Sequence, residues 1–312
     1  MHTLTIPISG RLLVAHLAAY GLGAALHAAG EPAFILHDPD SLEMDAQVRT
    51  PADPETVAAC VHATARACQP VIEADLEPGK TGNDRRPVIW ARATRTDRAQ
   101  QALAMREQLL DGVEEHDGSV AASLVAALGA PGAWLGERPQ HGASSLDGVI
   151  GNHTSDFVRG VLRRTLPPAS LTADELDASY NATETSAATE NDRTGWSPPG
   201  TQVHPVHQWL AAIGLTQLPV GLAAHGPSRT PCCWRDMNTR GVNLPVLSQP
   251  TSIPRLRALL QAPALATGSI GSTAAGRLRA LGIHELVSFS LLNRSTGQSV
   301  AFSFGRGIRK AL

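Results

Sequence analysis

The sequence is poor in cysteine and has no long apolar run. Its four cysteines, at positions 60, 68, 232 and 233, form no C-x-x-C pair, so we expect reduced, buried thiols and neither a structural zinc nor another cofactor. No apolar run approaches the roughly 20 residues that cross a bilayer. The first residues also lack the basic segment and apolar core of a secretory signal. We therefore expect a cytoplasmic protein without a membrane partner.

Lysine is almost absent, since 24 of the 26 positive side chains are Arg and only Lys80 and Lys310 are Lys. Arg binds phosphate or base edges bidentately, which Lys cannot do. A genome rich in G and C produces the same bias through codon usage, and the high Ala content favours that explanation. The preference for Arg therefore carries no argument about function.

Acidic residues are scarce at the C-terminal end. The last 84 residues contain eleven basic side chains and two acids, Asp236 and Glu285, so this segment has a net charge of +9 while residues 1–228 have −11. The net charge of −2 for the whole chain conceals this asymmetry. Because a concentrated positive field attracts polyanions and gains free energy from counterion release, the asymmetry is a reason to expect a polyanionic partner.

Helical and strand-like periodicities alternate along the chain and predict an α+β fold of mixed helices and short antiparallel sheets. Helices are predicted at residues 10–30, 54–68, 97–110, 204–214, 252–263 and 272–282. Strands are predicted at residues 4–8 and 33–37, within 85–95, and as a final antiparallel hairpin around S-T-G-Q.

A polar stretch at residues 167–200 interrupts these patterns. It has six acids, one Arg and no hydrophobic period, which is usual for a mobile loop or linker. The predicted organisation is therefore an N-terminal α+β domain (1–166), this acidic loop (167–200) and a basic C-terminal α+β domain (201–312) that ends in the hairpin. An alternative is that the acidic segment mimics nucleic acid or shields the basic half.

Two of the predicted helices resemble each other. The first contains HLAAYGLGAAL and the later one HQWLAAIGLTQLPV, and each is interpreted as a helix broken by a Gly-Leu pair. A true repeat would imply duplicated halves, whereas one short match in an Ala-rich protein also arises by chance. Both interpretations remain open.

Several constellations contain catalytic residue types, but none has the pattern that catalysis needs. His204 and His207 lack an H-E-x-x-H motif and a third ligand, so helix capping or packing is favoured over metal binding. The loop that contains His141, Ser144, Ser145 and Asp147 lacks a G-x-S-x-G elbow. The run GSIGSTAAG lacks the lysine of a P-loop, although its helix start could meet a backbone phosphate.

Clustered bases are the better candidates for function. One cluster consists of Arg159, Arg163 and Arg164, which fall at i, i+4 and i+5 and so lie on one face of a predicted helix. The others frame the strand within residues 85–95, lie on the helix at 272–282 or follow the final hairpin. The predicted nucleic-acid-binding residues are Arg85, Arg86, Arg92, Arg95, Arg159, Arg163, Arg164, Arg277, Arg279, Arg306, Arg309 and Lys310.

Three segments of the C-terminal part carry a family resemblance: HQWLAAIGLTQLPVG, NLPVLSQPTSIPRLRALLQAPAL and LGIHELVSFSLLNRSTGQSVAFSFG. A Trp-Leu-Ala-x-x-Gly-Leu helix, an apolar strand with proline, an Arg-Leu-x-x-Leu-Leu helix and a terminal hairpin resemble the large subunits of type I-G (formerly I-U) CRISPR Cascade complexes. The opening LTIPISGRLLVAHLAAYGLGAAL is similar to the start of these subunits.

The resemblance implies a non-enzymatic subunit of a crRNA-guided complex. Its partners would be crRNA, target DNA, other Cascade subunits and a helicase-nuclease, and it would contact the duplex of the protospacer-adjacent motif and stabilise the R-loop. Two rival hypotheses remain. One is a hydrolase that uses His204, His207 or the loop at residues 144–147, and the other is a stand-alone protein-protein interaction module.

Overall fold

The computed structural model of the protein describes residues 1–73, 190–191, 196–215, 217–218, 232–236, 239–296 and 299–312. Its helices are α1 (Leu13–Ala28), α2 (Pro54–Glu73), α3 (Pro205–Leu215), α4 (Ile253–Leu260) and α5 (Ser272–Ala280), with a 3-10 turn at Pro263–Leu265. The α+β class is confirmed. The strand predicted within residues 85–95 and the helix predicted at 97–110 lie outside the described residues.

Eleven strands occur in the described part of the chain. They are β1 (His2–Thr5), β2 (Phe34–His37), β3 (Ala46–Thr50), β4 (Glu190–Asn191), β5 (Gln202–Val203), β6 (Cys233–Asp236), β7 (Thr239–Val246), β8 (Thr251–Ser252), β9 (Glu285–Thr296), β10 (Ser299–Phe304) and β11 (Ile308–Ala311). The predicted final hairpin is confirmed as β9 and β10, where Ser299 lies opposite Thr296. The first strand ends at Thr5 and so lies before most of the predicted residues 4–8.

Two antiparallel sheets contain most of the strands. The first has the order β1-β3-β2-β8, and the second has the order β10-β9-β7-β6 with β11 also paired to β9. In the first sheet, Phe34 and Ile35 of β2 lie opposite Ser252 and Thr251 of β8. A strand from the C-terminal part thus completes a sheet made otherwise by the first 50 residues.

The described residues on both sides of the predicted loop share one hydrophobic core. At the C-terminal end of the loop the structure describes residues 190–191 and 196–200, where β4 pairs with β5 and Trp196 is only 4% exposed. An indole is a large apolar area to remove from water, and Trp196 belongs to the hydrophobic core although the sequence around it is polar. The boundary at residues 167–200 is a change in composition, and it does not separate two cores among the described residues.

Helices α1 and α3 cross at backbone contact through two glycines. A Cβ on Gly21 would lie 1.8 Å from the carbonyl oxygen of Leu210, and a Cβ on Gly214 would lie 1.8 Å from the carbonyl oxygen of Leu17. The contact is therefore reciprocal and locally two-fold, and it joins the two similar sequence segments. The expectation of a break at the Gly-Leu pair of the first helix is wrong, because α1 continues to Ala28 and uses its glycine for close packing.

Gly21→Ala is expected to lower the free energy of unfolding by about 2 kcal/mol or more, because the new methyl group would overlap a carbonyl oxygen and force the helices apart. Helix propensity alone predicts the opposite sign, since Ala is favoured over Gly by roughly 1 kcal/mol inside a helix. Urea unfolding of the purified variant measures the difference.

Gly276→Ala is the matched control. Gly276 lies inside α5, and a Cβ there would have no neighbour within 4 Å. This variant should be more stable than the parent by roughly 0.5–1 kcal/mol, as helix propensity predicts. Equal stabilisation by both substitutions would contradict the close crossing of α1 and α3.

Candidate nucleic-acid interface

Strand β11 carries two of the predicted bases at the edge of the second sheet. It lies antiparallel to the first half of β9, with Arg309 opposite Val287 and Lys310 opposite Leu286. Strand β7 pairs with the other side of the same half of β9. Ile308 and Arg309 are exposed and Lys310 is partly buried. The backbone of β11 therefore places positive side chains along a sheet edge.

A bulge separates β11 from β10 and places Arg306 at the surface. Phe304 lies opposite Leu291 and Ile308 opposite Ser288, so three residues face two on β9. The backbone N–H of Gly305 donates to the Ser290 carbonyl oxygen (2.9 Å). Hydrogen bonds at the bulge hold the backbone, while the Arg306 side chain is exposed.

Gly307 fixes the other side of the bulge. Its N–H donates to the carbonyl oxygen of Arg11 (2.7 Å) instead of to β9. A Cβ at Gly307 would lie 2.4 Å from Cγ2 of Val287 and 2.6 Å from Cε1 of Phe289. Only glycine fits there without displacing these core side chains, so the sequence G-R-G is matched to the bulge.

Three of the five predicted bases that the structure describes have protein partners. Arg309 forms an ion pair with Glu285, with Nε 2.9 Å and Nη2 2.6 Å from Oε2. Arg279 Nε donates to the backbone oxygen of Leu312 (2.9 Å), and Lys310 Nζ donates to the Gly268 carbonyl oxygen (3.3 Å). The contact with a peptide carbonyl orients Lys310 and leaves its charge uncompensated.

Arg277 and Arg306 are the unpaired bases of this set. Both are exposed, and within the described ranges neither side chain has an ion pair or a hydrogen bond. Residues 239–312 contain nine bases and a single acid, Glu285. One ion pair therefore leaves a large positive excess over this part of the molecule, and its field favours an anion.

The remaining predicted bases cannot be placed relative to this edge. They are Arg85, Arg86, Arg92, Arg95, Arg159, Arg163 and Arg164, and they lie outside the described residues. The candidate interface is accordingly formed by the bases at the bulge, on β11 and on α5, which we call the basic edge: Arg277, Arg279, Arg306, Arg309 and Lys310.

A pair of buried histidines supports the segment behind the basic edge, and the sequence analysis did not find it. The N–H of Leu247 donates to Nδ1 of His37 (2.8 Å), so the proton of His37 is on Nε2. That Nε2–H donates to Nδ1 of His16 (2.9 Å), whose own Nε2–H donates to the Gly10 carbonyl oxygen (2.6 Å). Each hydrogen bond in this series fixes which nitrogen of the next imidazole ring carries the proton.

Both histidines of this pair are neutral at physiological pH. Burial lowers the pKa of His16 to about 4 and the pKa of His37 well below its ordinary value. The His16 ring also packs edge-on against Phe289 of β9, with the ring centroids 5.5 Å apart. The pair therefore links Gly10 to the core of the second sheet. Gly10 precedes Arg11, whose carbonyl oxygen accepts a hydrogen bond from the Gly307 N–H.

His204 and His207 have the capping and packing roles that the sequence favoured. Nδ1 of His204 accepts a hydrogen bond from the Val206 N–H (3.2 Å) at the start of α3. His207 is buried, and desolvation lowers its pKa to about 3. Within the described ranges, no group of three or more His, Cys, Asp or Glu side chains could hold a metal ion. The loop at residues 144–147 lies outside them.

Comparison of the chain with protein-family models, with curated proteins and with solved structures found no match. Over the part of the chain that the structure describes, no helix combines the length and apolar character that crossing a membrane requires. The residues of the basic edge are therefore the basis for a functional proposal.

Acid is expected to destabilise the fold through His16. Its pKa is near 6.5 in the unfolded chain and about 4 in the folded protein, so the unfolded state binds more protons between these values. The stabilising contribution is complete above pH 6.5 and is lost as pH falls toward 4, by roughly 3 kcal/mol. Urea unfolding at a series of pH values measures this loss.

His16→Gln isolates the contribution of this residue. The variant should be less stable than the parent at pH 7, because the chain of hydrogen bonds is interrupted. Its further loss of stability between pH 7 and pH 5 should be smaller than that of the parent by roughly 2 kcal/mol. An unchanged pH dependence would mean that His16 does not titrate as a buried, neutral group.

Proposed function

We propose that this protein is a non-catalytic, nucleic-acid-binding component of a crRNA-guided CRISPR surveillance complex, and that the basic edge contacts the phosphate backbone. The observation that carries the nucleic-acid part is the pair Arg277 and Arg306, two exposed guanidinium groups that have no partner among the described residues, in a part of the chain with one acid. Such groups bind phosphate without first breaking an ion pair.

The arrangement of the edge supports a polymeric anion over a small one. Strand β11 alone, Ile308–Ala311, extends about 10 Å at 3.3 Å per residue, with Arg306 before it and Leu312 after it. Arg309 and Lys310 lie between these ends, and Arg279 is held at Leu312. Positive groups distributed over that length match a row of phosphates, whereas a single phosphate would engage only one end.

The assignment to a CRISPR complex rests on the resemblance of the Trp-Leu-Ala-x-x-Gly-Leu helix, the Arg-Leu-x-x-Leu-Leu helix and the terminal hairpin. In this role the chain would contact the duplex of the protospacer-adjacent motif and help to stabilise the R-loop, while base pairing to the crRNA reads the longer sequence. Other Cascade subunits and a helicase-nuclease would be its protein partners.

The Arg277→Ala and Arg306→Ala double variant should bind nucleic acid more weakly, because two phosphate contacts are removed. For single-stranded DNA, the slope of log affinity against log salt should become shallower by about 0.7 for each arginine lost. Fluorescence anisotropy with a labelled 20-nucleotide strand, measured from low to physiological salt, tests this.

Glu285→Gln provides a control with the opposite sign. The substitution removes the only acid in residues 239–312 and releases the Arg309 guanidinium from its ion pair. Binding should become tighter and its salt dependence steeper. Unchanged affinity in both variants would exclude the basic edge, and a hydrolase or a stand-alone interaction module would then be the hypothesis to test.

Co-expression with the neighbouring operon products and a crRNA tests the larger assignment. Purification through this chain should yield a stoichiometric particle that contains RNA. A single chain free of nucleic acid and of partner subunits would contradict the CRISPR role, even if isolated binding to DNA persists.

A further inference from the structure

The two faces of β9 differ in what covers them. Val287 and Phe289 point into the core, while Ser288, Ser290 and Leu292 point to the opposite face, which we call the outer face. Segment 263–267 covers one end of this outer face, since Asn243 beside Ser288 donates from Nδ2 to the carbonyl oxygens of Leu265 and Thr267 (both 2.8 Å).

Away from this segment, toward β11 and the bulge, the outer face has an open part with two exposed aliphatic side chains. Leu292 is 39% exposed, and Ile308, which lies opposite Ser288, is 62% exposed. Partly exposed Ser290 lies between them on the same face, and Leu292 lies beside Gly305 at the start of the bulge. Two exposed aliphatic side chains thus flank the bulge that carries Arg306.

We infer that this open part of the outer face binds a single-stranded nucleic acid, with the bases packed on Leu292 and Ile308 and the phosphates on the basic edge. The inference rests on the proposed function and specifies the kind of nucleic acid. It commits to one occupant because the apolar side chains are adjacent to unneutralised bases, and a single strand supplies both exposed base faces and a row of negative charges.

A duplex fits this surface less well. Its bases are stacked on one another and its outside presents phosphates and sugars, so Leu292 and Ile308 would lose contact with water without gaining an apolar neighbour. A protein strand could pair with the edge of β11, but a neutral or basic strand would bring no anion to Arg306 or Lys310. A single strand satisfies the charge and the apolar surface together.

The test uses the full chain and two fluorescent probes, a dT12 strand and a 12-base-pair duplex. Leu292→Ser combined with Ile308→Ser should weaken dT12 binding about fivefold and leave duplex binding unchanged. The salt dependence should stay the same, because no phosphate contact is removed. Thermal unfolding confirms that the variant is folded, as expected for two side chains on the surface.

Leu42→Ser is the matched control, because Leu42 is 82% exposed and lies in the connection between β2 and β3. It should leave dT12 binding unchanged. The inference is overturned if the Leu292 and Ile308 variant binds dT12 as the Leu42 variant does, or if the parent binds the duplex as tightly as dT12. In those cases the proposed function survives through phosphate contacts, whereas failure to bind either probe would remove both proposals.

Discussion

The structure depends on the contact between the backbones of α1 and α3. Gly21 and Gly214 each face a carbonyl group of the other helix at a distance that excludes any side chain. When two backbones approach this closely, many atoms come into dispersion contact. The approach is possible here because both positions are glycine. The first segment of the chain and the segment after residue 200 are thereby packed into one core, to which both sheets add their apolar faces.

A short series of contacts connects this core to the basic edge and holds the basic edge in position. Helix α1 carries His16, which hydrogen-bonds the Gly10 carbonyl oxygen and packs against Phe289 of β9. The carbonyl oxygen of Arg11, which follows Gly10 in the chain, accepts a hydrogen bond from the N–H of Gly307 at the bulge. Buried neutral groups and backbone hydrogen bonds thus set the position of Arg306, while its charge remains in water, where it costs no desolvation.

The α+β class and most helices were predictable because apolar periodicity is a local property of the sequence. Strands β3 and β11 were not predicted, since A-Q-V-R-T and I-R-K-A are short and polar. Composition identified the bases, but not that Arg309 is paired with Glu285, because this pairing depends on strand register across 24 residues. The His16–His37 contact similarly requires the placement of β2 beside α1, which no local pattern contains.

The crossing of α1 and α3 also determines how the protein can move. Each glycine lies over the backbone of the opposite helix, so a shift of either helix by one residue, about 1.5 Å, would drive a Cβ into a carbonyl group. Sliding of the helices is therefore blocked, and the two helices move as one rigid body.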